Sequence, residues 1–177
     1  MIKNSHRNVT VLLYPFIASV TIHCNIASAD APLPLPSVVT ICNPSKNHCA
    51  TTNPTSSKTT LIKQSSGKTL WSIDRYIRFF QISNDGQSIL AQSDFANLAP
   101  TYATNEHVLF EIYRGAKVIQ TVKLGALFES PAKLQRTVSH LSWGWVEKID
   151  ENDNAVLSLI DGRKVSYSLI TGHRVAQ

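Results

Sequence analysis

From Ser37 onward, short β-branched and aromatic runs alternate with clusters of Gly, Asn, Asp and Pro. This is the pattern of strands divided by turns, not of amphipathic helices. Three segments carry an apolar run on both sides of a glycine: 79–91 around Gly86, 108–123 around Gly115 and 155–169 around Gly162. A type I′ turn centred on Asp85-Gly86 pairs Ile82 with Ile89 and Phe80 with Ala91. Centring the second hairpin on Gly115-Ala116 pairs Tyr113 with Val118 and Ile112 with Ile119. Centring the third on Gly162-Arg163 pairs Ile160 with Val165, Ser158 with Tyr167 and Val156 with Leu169, because loop length sets register. Further strands are predicted over 38–41, 49–52, 59–63, 69–73 and 141–146. In the last of these, Leu141, Trp143 and Trp145 share one face by the period of two and are read as core. Helix is confined to single turns at 124–128 and 94–98, and 93–105 and 129–136 are predicted to be loops.

The three hairpins form a weak internal repeat, their glycines 29 and 47 residues apart, so no strict period holds. A closed propeller takes at least four blades of about 40 residues each, more than this chain supplies. The predicted fold class is therefore all-β, either an antiparallel sandwich or an incomplete propeller-like stack of hairpins, with very little helix.

The segments Leu70-Trp71-Ser72-Ile73, Ile82-Ser83-Asn84-Asp85-Gly86 and 134–144 (LQRTVSHLSWG), with the early Cys42/Cys49 loop and the late Thr171-Gly172, carry a family likeness. They resemble those of secreted bacterial β-rich proteins of uncharacterised activity, built of propeller-blade-like hairpins. The resemblance covers most of 37–175. It implies compartment and fold, and it transfers no catalytic residue.

Ahead of the β-rich region the pattern changes. Residues 1–29 begin with a basic stretch containing Lys3 and Arg7, continue as an apolar run from Val9 to Ile22, and end in Ala27-Ser28-Ala29. This is the layout of a cleavable signal peptide, and the apolar run is too short to span a bilayer. His23 stands before Cys24, where lipidation needs a small residue. The expected organisation is a signal peptide over 1–29, a proline-rich leader over 30–36 (DAPLPLP) and a single β-rich domain over 37–177, periplasmic or secreted.

Cleavage leaves 148 residues with 15 basic and 12 acidic side chains, a formal charge of +3 in place of +5. The charges are scattered singly, which argues against a nucleic-acid partner. No later segment is apolar enough to be an integral membrane span. Only Cys42 and Cys49 remain, bracketing the turn-rich Asn43-Pro44-Ser45-Lys46-Asn47. A disulfide is predicted in preference to a metal pair or a redox motif, since the spacing is not C-x-x-C.

Candidate chemistry is sparse. His48, His107, His140 and His173 are isolated, without metal-ligand spacing, so no metal and no cofactor are predicted. His140, with Arg136 and Ser139 just before it and Trp71 as an aromatic partner, forms a candidate set for an anion or a sugar. The plainer reading is that Ser139 and His140 satisfy backbone groups where a loop enters the sheet. Trp71, Trp143 and Trp145 could stack on a carbohydrate, but large aromatics in so small a β domain are more often core. No G-x-S-x-G elbow is present, and the acids sit mostly in turns. Asp150-Glu151-Asn152-Asp153-Asn154 opens like a calcium loop, yet has Ala155 where glycine is needed, and reads as a polar turn. No catalytic residue is assigned. The expected function is an exported, non-enzymatic binding or structural domain with a protein or glycan partner. The alternatives are an envelope-polymer hydrolase using His140 and a turn carboxylate, or an inhibitor or immunity protein presenting 93–105 or 129–136.

Overall fold

Among the described residues, the alternation of buried and exposed positions produces fifteen short strands and almost no helix. A computed structural model describes residues 35–176; the expected signal peptide over 1–29 and most of the 30–36 leader lie outside the described residues. The first sheet is an antiparallel meander of β1 (Val39–Cys42), β2 (His48–Asn53), β3 (Lys58–Lys63) and β4 (Lys68–Ile73). The chain continues through β5 (Phe80–Ile82), β6 (Ser88–Gln92), β7 (Leu98–Pro100), β8 (Val108–Arg114) and β9 (Lys117–Lys123). Of these, β5, β6, β8 and β9 form the second sheet in that order. β7 leaves it to pair with β11 (His140–Ser142), which also pairs with β10 (Gln135–Arg136), giving a small third sheet. The fourth sheet is the meander β12 (Gly144–Ile149), β13 (Asn154–Leu159), β14 (Lys164–Ser168) and β15 (Arg174–Val175). Four separate antiparallel sheets make a propeller-like stack of hairpins, not a two-sheet sandwich. Among the described residues, helix amounts to two single 3-10 turns, Leu124–Ala126 and Pro131–Lys133.

Two apolar clusters join the layers. Ala50, Leu61 and Ile73 of the first sheet meet Ile77, Phe80, Ile82, Ile89, Ala91 and Tyr113. On the other side of the second sheet, Leu90, Phe110, Ile112 and Val122 meet Leu141 and Trp143, together with Leu157, Leu159, Val165 and Tyr167 of the fourth sheet. β6 shows why both faces close: Ile89 and Ala91 point into one cluster and Leu90 into the other. The second sheet is thus covered on both faces. The first and fourth sheets each cover only one.

The hairpins follow the expected register in part. Phe80 pairs with Ala91 and Ile82 with Ile89, as the turn at Gly86 implies. The turn itself is not type I′, because that needs two left-handed residues and only Gly86 has positive φ (66°). In the second hairpin Tyr113 does pair with Val118, but a bulge then sets Ile112 against Gln120 rather than Ile119. The third hairpin is corrected outright: Leu157 pairs with Val165 and Ala155 with Tyr167, three positions from the expected register. Its turn is centred on Ile160-Asp161, closed by Gly162 N–H on Leu159 O at 3.0 Å, with Arg163 N–H capped by Asp161 Oδ1 at 3.1 Å. An odd shift exchanges faces, so Ala155, Leu157 and Leu159 point inward.

The two loops also carry structure: 93–105 contains β7, and 129–136 contains a 3-10 turn and β10. Of the predicted helical turn 94–98, residues 94–97 form a turn with Ala96 at φ 53° and Leu98 opens β7. The predicted strand 141–146 is interrupted. Gly144, at φ 142°, carries the chain from the third sheet to the fourth, and a Cβ there would lie 2.3 Å from Ser158 O. The period-two count does not survive that break. Trp143 is fully buried, whereas Trp145 is 50% exposed and is not core.

Candidate functional site

Three turns at the junctions of the sheets share one device. Asn43, Ser83 and Asp150 each open a turn whose fourth residue is left-handed: Lys46 (57°), Gly86 (66°) and Asp153 (59°). Each opening side chain also accepts a backbone N–H from the returning strand: His48 N on Asn43 Oδ1 at 3.2 Å, Ser88 N on Ser83 Oγ at 2.9 Å, Asn154 N on Asp150 Oδ1 at 2.7 Å. The calcium-like stretch is therefore a hairpin turn. The carboxylate of Asp153 is turned to the neighbouring sheet, where it accepts Asn84 N–H at 2.5 Å and Asp85 N–H at 3.4 Å. From the other side, Asn43 Nδ2 donates to Asn84 O at 3.1 Å. Gly86 is required here, since a Cβ would meet the His48 ring at 2.3 Å. Cys42 and Cys49, paired across β1 and β2, form a disulfide beside this junction with Cα atoms 4.0 Å apart. Among the described residues no cluster of three or more His, Cys, Asp or Glu is placed to hold a metal.

The sequence-nominated residues divide between two places. Arg136 is exposed on β10, opposite Leu141 of β11. Ser139 Oγ lies 2.8 Å from His140 Nδ1, and the His140 ring packs 5.5 Å from Phe95. Phe95 also approaches His107, at 6.3 Å, so a small histidine–phenylalanine group forms that sequence spacing does not show. His107 Nε2 is buried without a hydrogen-bond partner among the described residues, and burial lowers the pKa of its ring. The backbone of His140 is tied down by Thr137, whose Oγ1 accepts His140 N–H at 3.0 Å. Trp71 stands apart, on β4 of the first sheet, where it packs on the smaller cluster and donates Nε1–H to Gly86 O at 3.3 Å.

A different aromatic is presented to solvent. Trp145 of β12 pairs with Ser158 of β13, which pairs with Lys164 of β14, so the three side chains lie in one row on the outward face of the fourth sheet. Glu147 bulges out of β12 beside them. It accepts a hydrogen bond from Ser158 Oγ at 2.8 Å and an ion pair from Lys164 Nζ at 2.8 Å. These hydrogen bonds, that of Lys164 first, hold the Glu147 carboxyl below the usual carboxylate range. Trp143 contrasts with its neighbour: its Nε1–H is satisfied by Ala96 O at 3.0 Å. The sequence reads Trp145 as core, with stacking on a carbohydrate the lesser reading, because W-G-W looks like one alternating strand until Gly144 divides it.

A concavity of about 370 Å³ lies beside Leu127, Phe128, Lys133 and Arg163. Its guanidinium is already engaged, stacked 5.5 Å over Phe128 and bonded to Leu127 O at 2.6 Å and to Asp161. It acts as a strut between turns.

A scan against protein-family models finds no match, and comparison with curated proteins finds none either. Two solved structures are similar in outline. Hsv2 of Kluyvelomyces marxianus matches at 13% identity and a TM-score of 0.42, over 73% of this chain and 38% of its own. The Dos1 propeller matches at 10% identity and a TM-score of 0.43, over 78% of this chain and 31% of its own. The chain thus spans about a third of the length of either structure, and neither likeness bears on function.

Proposed function

We propose that the chain is an exported, non-enzymatic binding domain that takes a protein or glycan partner on the outward face of its fourth sheet. The observation that carries this reading is Trp145, a large aromatic half exposed on the outward face of the fourth sheet. Around it Ser158, Glu147 and Lys164 are fixed by mutual hydrogen bonds, so the face is pre-organised. Export is supported by the 1–29 pattern and by the Cys42–Cys49 disulfide, which persists in oxidising compartments. Among the described residues no helix is long and apolar enough to cross a membrane.

Site-specific photo-crosslinking in whole envelope tests it. A photoreactive residue in place of Trp145 is expected to give a discrete adduct, and the same group at Lys58 of the first sheet none. Equal labelling at the two positions, or no adduct at 145, overturns the reading.

A further inference from the structure

We infer that the partner on this face is a pyranose glycan; the inference rests on the reading above of the face as a docking surface. A protein interface is built around a contiguous, desolvated core with several anchors. Here a single indole stands beside Glu147 and Lys164 over the buried Ser158, and the next row of the same face is Lys148, Val156 and Ser166. A pyranose ring matches that mixture: its C–H face lies on the indole, and its hydroxyls reach the polar groups.

The polar groups are chemically suited to hydroxyls. Glu147 is an acceptor-only carboxylate, and Ser158 and Lys164 fix its orientation while leaving lone pairs for sugar O–H donors. Lys164 carries three N–H donors, and those not spent on Glu147 are left for sugar oxygens. Because Glu147 and Lys164 neutralise one another, the row needs no counter-charge from the ligand. An uncharged sugar fits this balance, and its binding is weakly dependent on salt.

The test titrates the full chain with chitotetraose and cellotetraose, following tryptophan fluorescence and calorimetry. At least one is expected to bind saturably, with a dissociation constant of about 1 mM or tighter. Trp145→Ala lowers affinity at least about tenfold, whereas Trp145→Phe retains most of it. Glu147→Gln also weakens binding, and an unchanged thermal midpoint shows each variant folded. Saturation by neither sugar up to about 10 mM, or unchanged affinity in Trp145→Ala, overturns the inference. So does binding that falls steeply with salt, the mark of an anionic polymer held by Lys148 and Lys164. If a protein adduct forms at position 145 while both sugars fail, the glycan falls and the docking face stands. If adduct and sugar binding are both absent, both fall.

Discussion

The two ends of the stack are held by different means. The fourth sheet shares a cluster of eighteen buried apolar residues, built around Trp143, Phe110 and Tyr167, whereas the first sheet shares one of nine. At that thinner end the hydrogen bonds are buried. Thr59 Oγ1 donates to Arg75 O at 2.8 Å and is hydrogen-bonded to Thr52 Oγ1 at 3.1 Å, and Thr52 Oγ1 accepts Ile77 N–H at 3.1 Å. The disulfide also sits there, across β1 and β2. Where apolar area is scarce, directional bonds and a covalent tie take over the fixing of the strands. The fourth sheet, secured by packing, can leave an indole in solvent.

The largest break in this comparison is Trp143→Ala. It removes the largest fully buried side chain and its bond to Ala96 O, and should destabilise the fold by about 3–5 kcal/mol, read from the denaturant midpoint. Next comes the paired change Cys42→Ala with Cys49→Ala. For so short a loop the loss is about 2 kcal/mol, and amide exchange should quicken at Thr51 and Thr60 but not at Leu157. Uniform quickening would show that the tie serves the whole stack.

The smallest effect is a pH dependence. Burial alone would raise the Asp85 carboxyl, but hydrogen bonds from Ser83 Oγ, Gln87 N–H and Arg114 outweigh it and lower its pKa. The folded state thus holds the proton less tightly than the unfolded chain. The contribution is complete above the unfolded carboxylate range and fades as pH falls through the lower, folded value. Asp85→Asn should flatten the acid limb of the stability curve, and an identical acid limb would reassign it to other carboxylates.

Much of the fold was legible because it is local. Hairpin pairing at Phe80–Ala91 follows from a glycine turn and apolar runs, and so does the stacking of meanders. What failed depended on a turn's internal hydrogen bonds: Asp161 capping Arg163 moved one hairpin by three positions and inverted its faces. The site was less legible still. Ser139 and His140 are sequence neighbours and do meet, but Phe95 and His107 join them only through tertiary packing. Trp145 reached the surface because Gly144 interrupts the alternation.

The grip on Asn84 has a wider consequence. Its N–H is held by Asp153 of the last meander and its C=O by Asn43 of the first. Stacks of repeated units tend to melt piecemeal, each unit depending on its nearest neighbours. Here one residue of the middle layer is bonded through its backbone to both outer layers, so loss of either end withdraws a part-buried partner from the centre. The ends of this modular architecture are therefore tied through its middle, and a partial product of synthesis lacking the last sheet leaves the Asn84 amide without its native acceptor.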